Sequence, residues 1–251
     1  GGLKELRRRG VAEWEKRAVP RRKAVDVPAA RKKSALPVRD PVDMISVAEL
    51  SQLRTALKYA GRDTSFHLKL EDIPSGDWEE AAGLLAGRRM ALSFPRILRG
   101  KGKQVFEQEW EQYGGAFMGG QTEMIVVNSY AMVLYAGSFF PDAKLTADTN
   151  LYQENRWAAE AYAGWGIQPP FVTVYGRVPV MVTEGCLAKT LSLCGRGENQ
   201  IPFTTPKGDK FVVVNHCKYC YNTIYTEQPA VCVADVPCRR MNLTWEREDE
   251  V

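Results

Sequence analysis

The chain has 251 residues, of which 45% are hydrophobic and 25% are charged. That length suffices for one α/β domain of barrel size or for two smaller domains. Six cysteines are too few for a disulfide-dense secreted scaffold of this length. No stretch reaches the roughly 18 apolar residues of a membrane span. The polar N-terminus lacks the apolar core of a signal peptide. We therefore expect a cytoplasmic protein without a membrane segment.

The net charge of +4 is distributed unevenly. Residues 1–40 hold 13 of the 34 Lys and Arg but only 5 of the 30 Asp and Glu, so the rest of the chain is acidic. The stretch KELRRRGVAEWEKRAV predicts a helix, and the four prolines at 20, 28, 37 and 41 predict an extended linker. Residues 1–41 are therefore either a solvated helix with a linker or a segment that contacts nucleic-acid phosphates.

Residues 42–181 alternate short apolar stretches with amphipathic ones. The predicted strands are DMISVA, SFHLKL, RMALSFP, EMIVVNS, KLTADTN and FVTVYGRVPVMV. A predicted helix follows each of the first five, except that the stretch after EMIVVNS is either a short helix or a loop. Strands that alternate with helices of this length form right-handed βαβ crossovers and a parallel sheet. Six strands predict an α/β fold, an incomplete or modified TIM-type (β/α) barrel.

Residues 182–251 have a different pattern and carry all six cysteines. PFTTPKGDKFVVVN predicts two strands joined by a turn at residues 207–209, and AVCVADVPCRRMNLTW predicts more strand or irregular chain. We expect a β-rich, cysteine-containing C-terminal extension of the barrel.

Four of these cysteines are candidate metal ligands. Cys186 and Cys194 precede the predicted hairpin, and Cys217 and Cys220 form a CxxC after it. Two thiolates on a tight turn, joined by a second pair, can complete a tetrahedron around one ion. Zinc fits this set, a 4Fe-4S cluster fits it equally, and thiols without a metal are the remaining alternative.

Polar residues at the ends of the predicted strands form a second candidate site. In a barrel of parallel strands, ligands bind at the carboxyl ends of the strands. A cluster of Arg, Asn, Asp and Tyr suits a ligand that bears a phosphate or a carboxylate, and the alternative for each is a satisfied polar residue at a strand end. The candidates are His67, Lys69, Arg96, Asn128, Asp148, Asn150, Tyr175 and Arg177.

Several stretches, in order along nearly the whole chain, resemble the U32 peptidase family of collagenase-like proteins. The strongest are VTVYGRVPVMVTEGCLAKTLSLC followed by PKGDKFVVVNHCKYC, which resemble the C-terminal region of the long members. MALSFPRILRG, KLTADTNLYQENRWAAEAYAGWG and the closing RRMNLTWE agree with the same family. Two features depart from it: only IQPP stands where the family has a further strand and helix, and the signature cysteine motif of the N-terminal barrel is absent.

The resemblance implies two functions and a partner. One is a peptidase, although the family's catalytic residues are unassigned and this chain has neither an HExxH nor a GxSxG motif. The other is a non-catalytic, metal-stapled scaffold or RNA-binding part of an RNA base hydroxylase, since relatives hydroxylate nucleobases with an iron–sulfur centre. Either way, the resemblance implies that the chain is part of a longer U32-type protein that acts on peptide or RNA.

Overall fold

The computed structural model describes residues 2–18, 43–118, 120–148, 150–151, 156–168, 171–194, 200–231 and 239–242. The chain divides into two compact units, Gly1–Pro37 and Val38–Val251. The first unit contains helix α1, Gly2–Ala18, in agreement with the helix predicted there. The side chains described on α1 are exposed, among them Arg7, Arg8 and Arg9. The predicted proline-rich linker lies outside the described residues.

The second unit alternates strands and helices up to residue 168 and is then mainly β-structure. Its helices are α2 Leu50–Tyr59, α3 Trp78–Leu84, α4 Gly100–Tyr113, α5 Tyr130–Phe139, α6 Arg156–Gly164 and α7 Leu187–Thr190. The strands are β1 Met44–Val47, β2 Ser65–Lys69, β3 Met90–Ser93, β4 Thr122–Val127, β5 Lys144–Ala147, β6 Ile167–Gln168, β7 Val172–Gly176, β8 Pro179–Thr183, β9 Gln200–Thr204, β10 Lys210–His216, β11 Tyr221–Thr226, β12 Ala230–Val231 and β13 Arg239–Asn242.

Eight parallel strands form a curled sheet, a half-barrel compatible with an incomplete TIM-type barrel. The strand order is β12-β7-β13-β1-β2-β3-β4-β5-β6, and only the edge strand β12 runs antiparallel to its neighbour. In the described part of the chain, β6 and β12 are the two edges and do not pair with each other. The two-residue strand β6 stands in the IQPP segment, where the sequence predicted no strand.

The two faces of the curled sheet differ in chemistry because side chains alternate along each strand. One face, with residues such as Phe66, Leu68 and Leu92, packs against the helices in the main hydrophobic core. Trp78, Phe106, Trp110 and Phe117 supply its aromatic centre, with Trp78 and Phe106 rings 6.2 Å apart. Full burial of each such ring contributes roughly 2–3 kcal/mol of hydrophobic stabilisation.

The opposite, inner face has an apolar layer and a polar one. Met44, Ala91, Met124 and Val126 form a small apolar cluster there. Towards the carboxyl ends of the strands, the residues on this face become polar and charged although they are buried. They are Ser46, His67, Lys69, Ser93, Thr146, Asp148 and Arg240. The polar layer thus lies at the end of the strands where TIM barrels hold their ligands.

A second, antiparallel sheet of order β8-β11-β10-β9 follows the half-barrel. The two strands predicted in PFTTPKGDKFVVVN are β9 and β10, paired from Phe211 with Phe203 onwards. The single strand predicted over FVTVYGRVPVMV is wrong, because the chain turns after Gly176, whose φ of 133° disfavours other residues. Strand β7 before this turn joins the half-barrel, and strand β8 after it joins the antiparallel sheet.

The C-terminal residues do not form a separate extension throughout. Strands β12 and β13 return to the half-barrel, and β13 lies between β1 and β7. Residue 181 lies within β8, and Val38–Val251 is one compact unit. The predicted domain boundary at residue 181 stays a prediction.

Candidate functional site

A cavity of about 170 Å³ opens at the carboxyl ends of the parallel strands. We call it the cationic cavity, since four of its lining side chains are Lys or Arg and one is a carboxylate. It is lined by Lys69, Arg96, Asp148, Asn150, Thr173, Arg177, Val178, Pro179, Tyr225 and Arg240. The strand-end position agrees with the location where barrel enzymes and barrel binding proteins hold their ligands.

The charged residues that line the cavity lie at or near the carboxyl ends of the parallel strands. Lys69 is the last residue of β2, Arg96 follows β3 after Pro95, and Asp148 is the first residue after β5. Arg177 follows β7 directly, and Arg240 projects from β13. Because the strands are parallel and neighbouring, their ends converge, and residues far apart in sequence reach one space.

Asp148 is the anionic centre of the cavity wall. Its Oδ1 lies 3.0 Å from Arg240 Nη1, and its Oδ2 lies 3.7 Å from Arg96 Nη2. Burial raises the pKa of Asp148, but Arg240 and Arg96 outweigh burial and hold that pKa well below its usual range. The carboxylate is therefore ionised at neutral pH and fixes both guanidinium groups. Arg240 Nη2 donates a further hydrogen bond of 3.1 Å to Thr173 Oγ1.

Arg96 links the cavity to a second carboxylate behind it. Its Nε lies 3.5 Å from Glu71 Oε1, and its backbone N–H donates to Glu71 Oε2 at 3.1 Å and to Tyr221 Oη at 3.2 Å. Burial lowers the pKa of Arg96, yet Tyr225, Glu71 and Asp148 raise it above its ordinary value, so the residue stays charged. Its buried Nη1, however, has no hydrogen-bond partner among the residues that the structure describes.

His67 lies one layer deeper on the same face and does not line the cavity. It is fully buried, and its Nδ1 lies 2.8 Å from Ser46 Oγ. Burial, followed by Arg240 and Lys69, lowers the pKa of His67 well below its usual value, so the ring is neutral at pH 7. In the described part of the chain, its buried Nε2 has no hydrogen-bond partner.

The structure brings five of the eight predicted ligand residues together and separates three from them. Arg96, Asp148, Asn150 and Arg177 all line the cationic cavity. Three of the predicted residues do not line the cavity. His67 lies below it, and Asn128 Nδ2 donates a hydrogen bond of 2.9 Å to Phe94 O. Tyr175 packs against the main hydrophobic core. Lys69, which the sequence also suggested, lines the cavity and is buried.

Sequence reasoning missed Thr173, Tyr225 and Arg240. Thr173 and Arg240 lie on strands that pair only through the return of β13, and Tyr225 comes from the antiparallel sheet. A signal for Arg240 existed, because a charged residue within a short strand of a buried parallel sheet requires a counterion. Nothing local in the sequence pointed to Tyr225.

The four candidate thiol ligands lie at two turns around the antiparallel sheet. Cys186 caps α7 and accepts from Lys189 N at 3.4 Å, and Cys217 and Cys220 lie in the turn between β10 and β11. Burial raises the pKa of Cys217, and the thiols of Cys186, Cys194 and Cys220 raise it further, so the four share one neighbourhood. No disulfide joins them.

The sulfur atoms are not gathered at ligand spacing. Among the described residues, one group of three or more metal-ligating side chains has all its ligand atoms within 4.8 Å of one another, and it is Glu71, Asp72 and His216. A zinc or 4Fe-4S site on the four cysteines therefore stays a prediction.

A larger cavity of about 420 Å³ lies at the opposite end of the strands, beside the start of β4 and β5. Its walls are mainly aromatic and aliphatic, including Phe117, Phe139 and Phe140, and the charged Glu123, Asp142 and Lys144 line it as well. It lacks the buried, converging charges of the cationic cavity, and it lies at the end where barrel proteins rarely bind ligands. We therefore take the smaller cavity as the candidate site.

Comparison of the chain with protein families, with curated proteins and with solved structures finds no match. Within the described residues, no helix has the length and apolar character needed to cross a membrane.

Proposed function

We propose that this chain is a binding domain that holds a phosphate- or carboxylate-bearing ligand in the cationic cavity. The observation that carries the proposal is the charge of the cavity wall: Lys69, Arg96, Arg177 and Arg240 face a single lining carboxylate. In line with the U32 resemblance, we propose that it serves within a longer protein of that type.

The excess of cationic over anionic side chains around the cavity favours an anionic ligand on energetic grounds. An ionised side chain removed from water is costly unless a counterion or hydrogen bonds replace the lost hydration. Asp148 pairs with Arg240 and Arg96, and Glu71 pairs with Arg96 from behind the cavity. Within the described residues, however, Arg96 Nη1 has no hydrogen-bond partner. A phosphate or carboxylate oxygen at that nitrogen would supply a charge-assisted hydrogen bond.

Binding is favoured over peptide hydrolysis by the state of the candidate nucleophiles. Ser46 and His67 form a close pair, but both have 0% exposure, so a polypeptide cannot reach them. A nucleophilic cysteine needs a lowered pKa, whereas the pKa of Cys217 is raised. Neither of these candidate nucleophiles in the described residues is therefore activated for peptide hydrolysis.

The four-cysteine site, if it binds zinc or a 4Fe-4S cluster, would act as a staple. Four thiolates leave no open position for water on zinc. The cysteines lie on α7 and on the β10–β11 turn, so an ion would tie these two segments together. This role is compatible with a scaffold within a larger RNA-modifying or peptide-processing protein.

Isothermal titration calorimetry with the purified chain tests the binding proposal. Inorganic phosphate, ribose 5-phosphate and acetate would be titrated separately, so that phosphate and carboxylate recognition are distinguished. Arg177→Gln should weaken binding by about tenfold or more, since a hydrogen bond to a charged group contributes about 1.5–3 kcal/mol. Arg177 is chosen because it lies at the end of β7 and is only partly buried, so that its replacement should leave the fold intact.

Arg62→Gln is the matched control, because Arg62 is exposed and does not line the cavity. It should bind as the unmodified chain does. Absence of heat from all three ligands, or equal loss in both variants, would refute the proposal.

A further inference from the structure

Two carboxylates and an imidazole meet in the interior between the half-barrel and the antiparallel sheet. Glu71 and Asp72 lie in the turn after β2, and His216 is the last residue of β10. Their ligand atoms all lie within 4.8 Å of one another. The side chains of Asp72 and His216 are 0% and 2% exposed. Neither the sequence pattern nor the proposed anion site accounts for this group.

The carboxylate of Asp72 is the anomaly in this group. Both of its oxygens are buried, and neither has a hydrogen-bond partner within the described structure. Buried carboxylates are otherwise almost always hydrogen-bonded or ion-paired, since an unsatisfied one costs several kcal/mol. The backbone N–H of Asp72 donates to Lys69 O at 3.0 Å, so the turn holds the backbone at this position.

His216 approaches Asp72 in a geometry that suits a shared ion. His216 Nδ1 lies 3.3 Å from Asp72 Oδ1, within ion-pair distance but outside good hydrogen-bond geometry. Two ligand atoms that each lie about 2.1 Å from one ion, at about 105° to each other, are separated by about 3.3 Å. The other ring nitrogen, Nε2, lies 3.1 Å from Thr223 Oγ1, which is the kind of contact that orients a metal-bound imidazole.

Glu71 can supply the third ligand, although it has other partners. Tyr221 Oη donates to Glu71 Oε2, and Arg96 lies beside both carboxylate oxygens. A carboxylate has about four lone-pair sites, so one can remain for an ion. Arg96 compensates the charge of Glu71, whereas Asp72 has Lys69 and His216 as its cationic neighbours, and an ion would add to them.

We propose that Glu71, Asp72 and His216 form a binding site for a first-row transition dication. The mixture of one imidazole nitrogen with carboxylate oxygens favours zinc, manganese or ferrous iron over calcium or magnesium, which prefer oxygen ligands alone. The site joins β2 of the half-barrel to β10 of the antiparallel sheet, so the ion would fasten the two sheets together.

Manganese is the probe that separates this site from the thiols, because thiolates select softer metals. Since the site is buried, the chain would be refolded with Mn²⁺ and then desalted, and bound manganese would be counted by electron paramagnetic resonance. The expected result is one retained equivalent, with a ¹⁴N modulation in the spin-echo signal from one coordinated imidazole.

Asp72→Asn should lower the affinity for Mn²⁺ by about tenfold or more, because it removes the charged ligand. Asp63→Asn is the matched control, since Asp63 is exposed in the turn before β2, and it should retain the ion. If Asp72→Asn does not refold, the ¹⁴N modulation of the unmodified chain tests the proposal: its presence supports the site, and its absence overturns it. No retained manganese, no nitrogen coupling, or equal affinity in Asp72→Asn would overturn the proposal.

Discussion

Arg240 and Asp148 form an ion pair of 3.0 Å although 92 residues separate them in the chain. Arg240 lies on β13, between β1 and β7, and Asp148 follows β5 on the other side of the inner face. The pair therefore connects the C-terminal strand to the middle of the half-barrel across the polar layer. It also holds one wall of the cationic cavity in place.

Asp148→Asn should lower the free energy of unfolding by about 3–5 kcal/mol. The change removes the charge that offsets Arg240 and Arg96 while both stay buried, and breaking a buried pair from one side leaves an uncompensated ion. Urea denaturation followed by circular dichroism measures the effect. Asp142→Asn, at an exposed position, is the control and should change the unfolding free energy by less than about 0.5 kcal/mol.

His67 should make the protein less stable as the pH falls below about 6.5. Burial lowers the pKa of the folded ring, so below the unfolded value of 6.5 the unfolded state binds the proton and the folded state does not. The stability contributed by the neutral ring is present above 6.5 and is lost as the pH falls towards the lowered pKa. The slope approaches about 1.4 kcal/mol per pH unit.

His67→Gln should remove this part of the slope between pH 6.5 and 5, as measured by urea denaturation at each pH. Acidic groups also titrate at the lower end of this range, and they are common to both proteins, so the difference between the two curves isolates the histidine. Parallel curves for the two proteins would contradict the assignment.

The half-barrel was predictable because its strands carry local signals. Strands such as SFHLKL and RMALSFP are short apolar runs bounded by turn residues, and the helices between them have apolar residues at helical spacing. The residues that end these strands, including Arg96 and Asp148, could therefore be placed at one edge of a sheet without knowledge of the contacts.

The rest depends on pairing between distant segments. β13 has the sequence RRMN, which shows no apolar alternation, and its place between β1 and β7 follows from packing across the whole chain. The break between β7 and β8 had a signal, since Gly176 and Pro179 interrupt the run, and proline is tolerated at the first residue of a strand. The contact of Asp72 with His216 joins two sheets and had no signal in either segment.

Gly102→Ala should destabilise the protein, although alanine is the better helix former. A Cβ at position 102 in α4 would lie 3.1 Å from Tyr219 Cα and 3.2 Å from Tyr219 O, in the turn between β10 and β11. That backbone is held by the neighbouring strands, so we expect a loss of about 1 kcal/mol or more from overpacking. Thermal denaturation measures it.

Gly137→Ala is the matched control for this change. Gly137 lies in α5, and its added Cβ would meet nothing within 4 Å. The helix should gain about 0.5–1 kcal/mol from the substitution. If both variants gained stability equally, the close approach of α4 to the turn would not constrain the fold.

Alkylation of the four thiols tests both their electrostatics and the proposed staple. Burial and the three neighbouring thiols raise the pKa of Cys217, so at pH 8 less of it is thiolate and iodoacetamide should modify it more slowly than it modifies free cysteine. Trypsin cleaves after Lys218 and separates Cys217 from Cys220 for mass spectrometry.

One equivalent of Zn²⁺ should slow the modification of all four thiols together, since a bound thiolate is no longer a free nucleophile. The four are Cys186, Cys194, Cys217 and Cys220. Protection of Cys217 and Cys220 alone would show that the ion is held without Cys186 and Cys194. That result would refute the proposed staple between α7 and the β10–β11 turn.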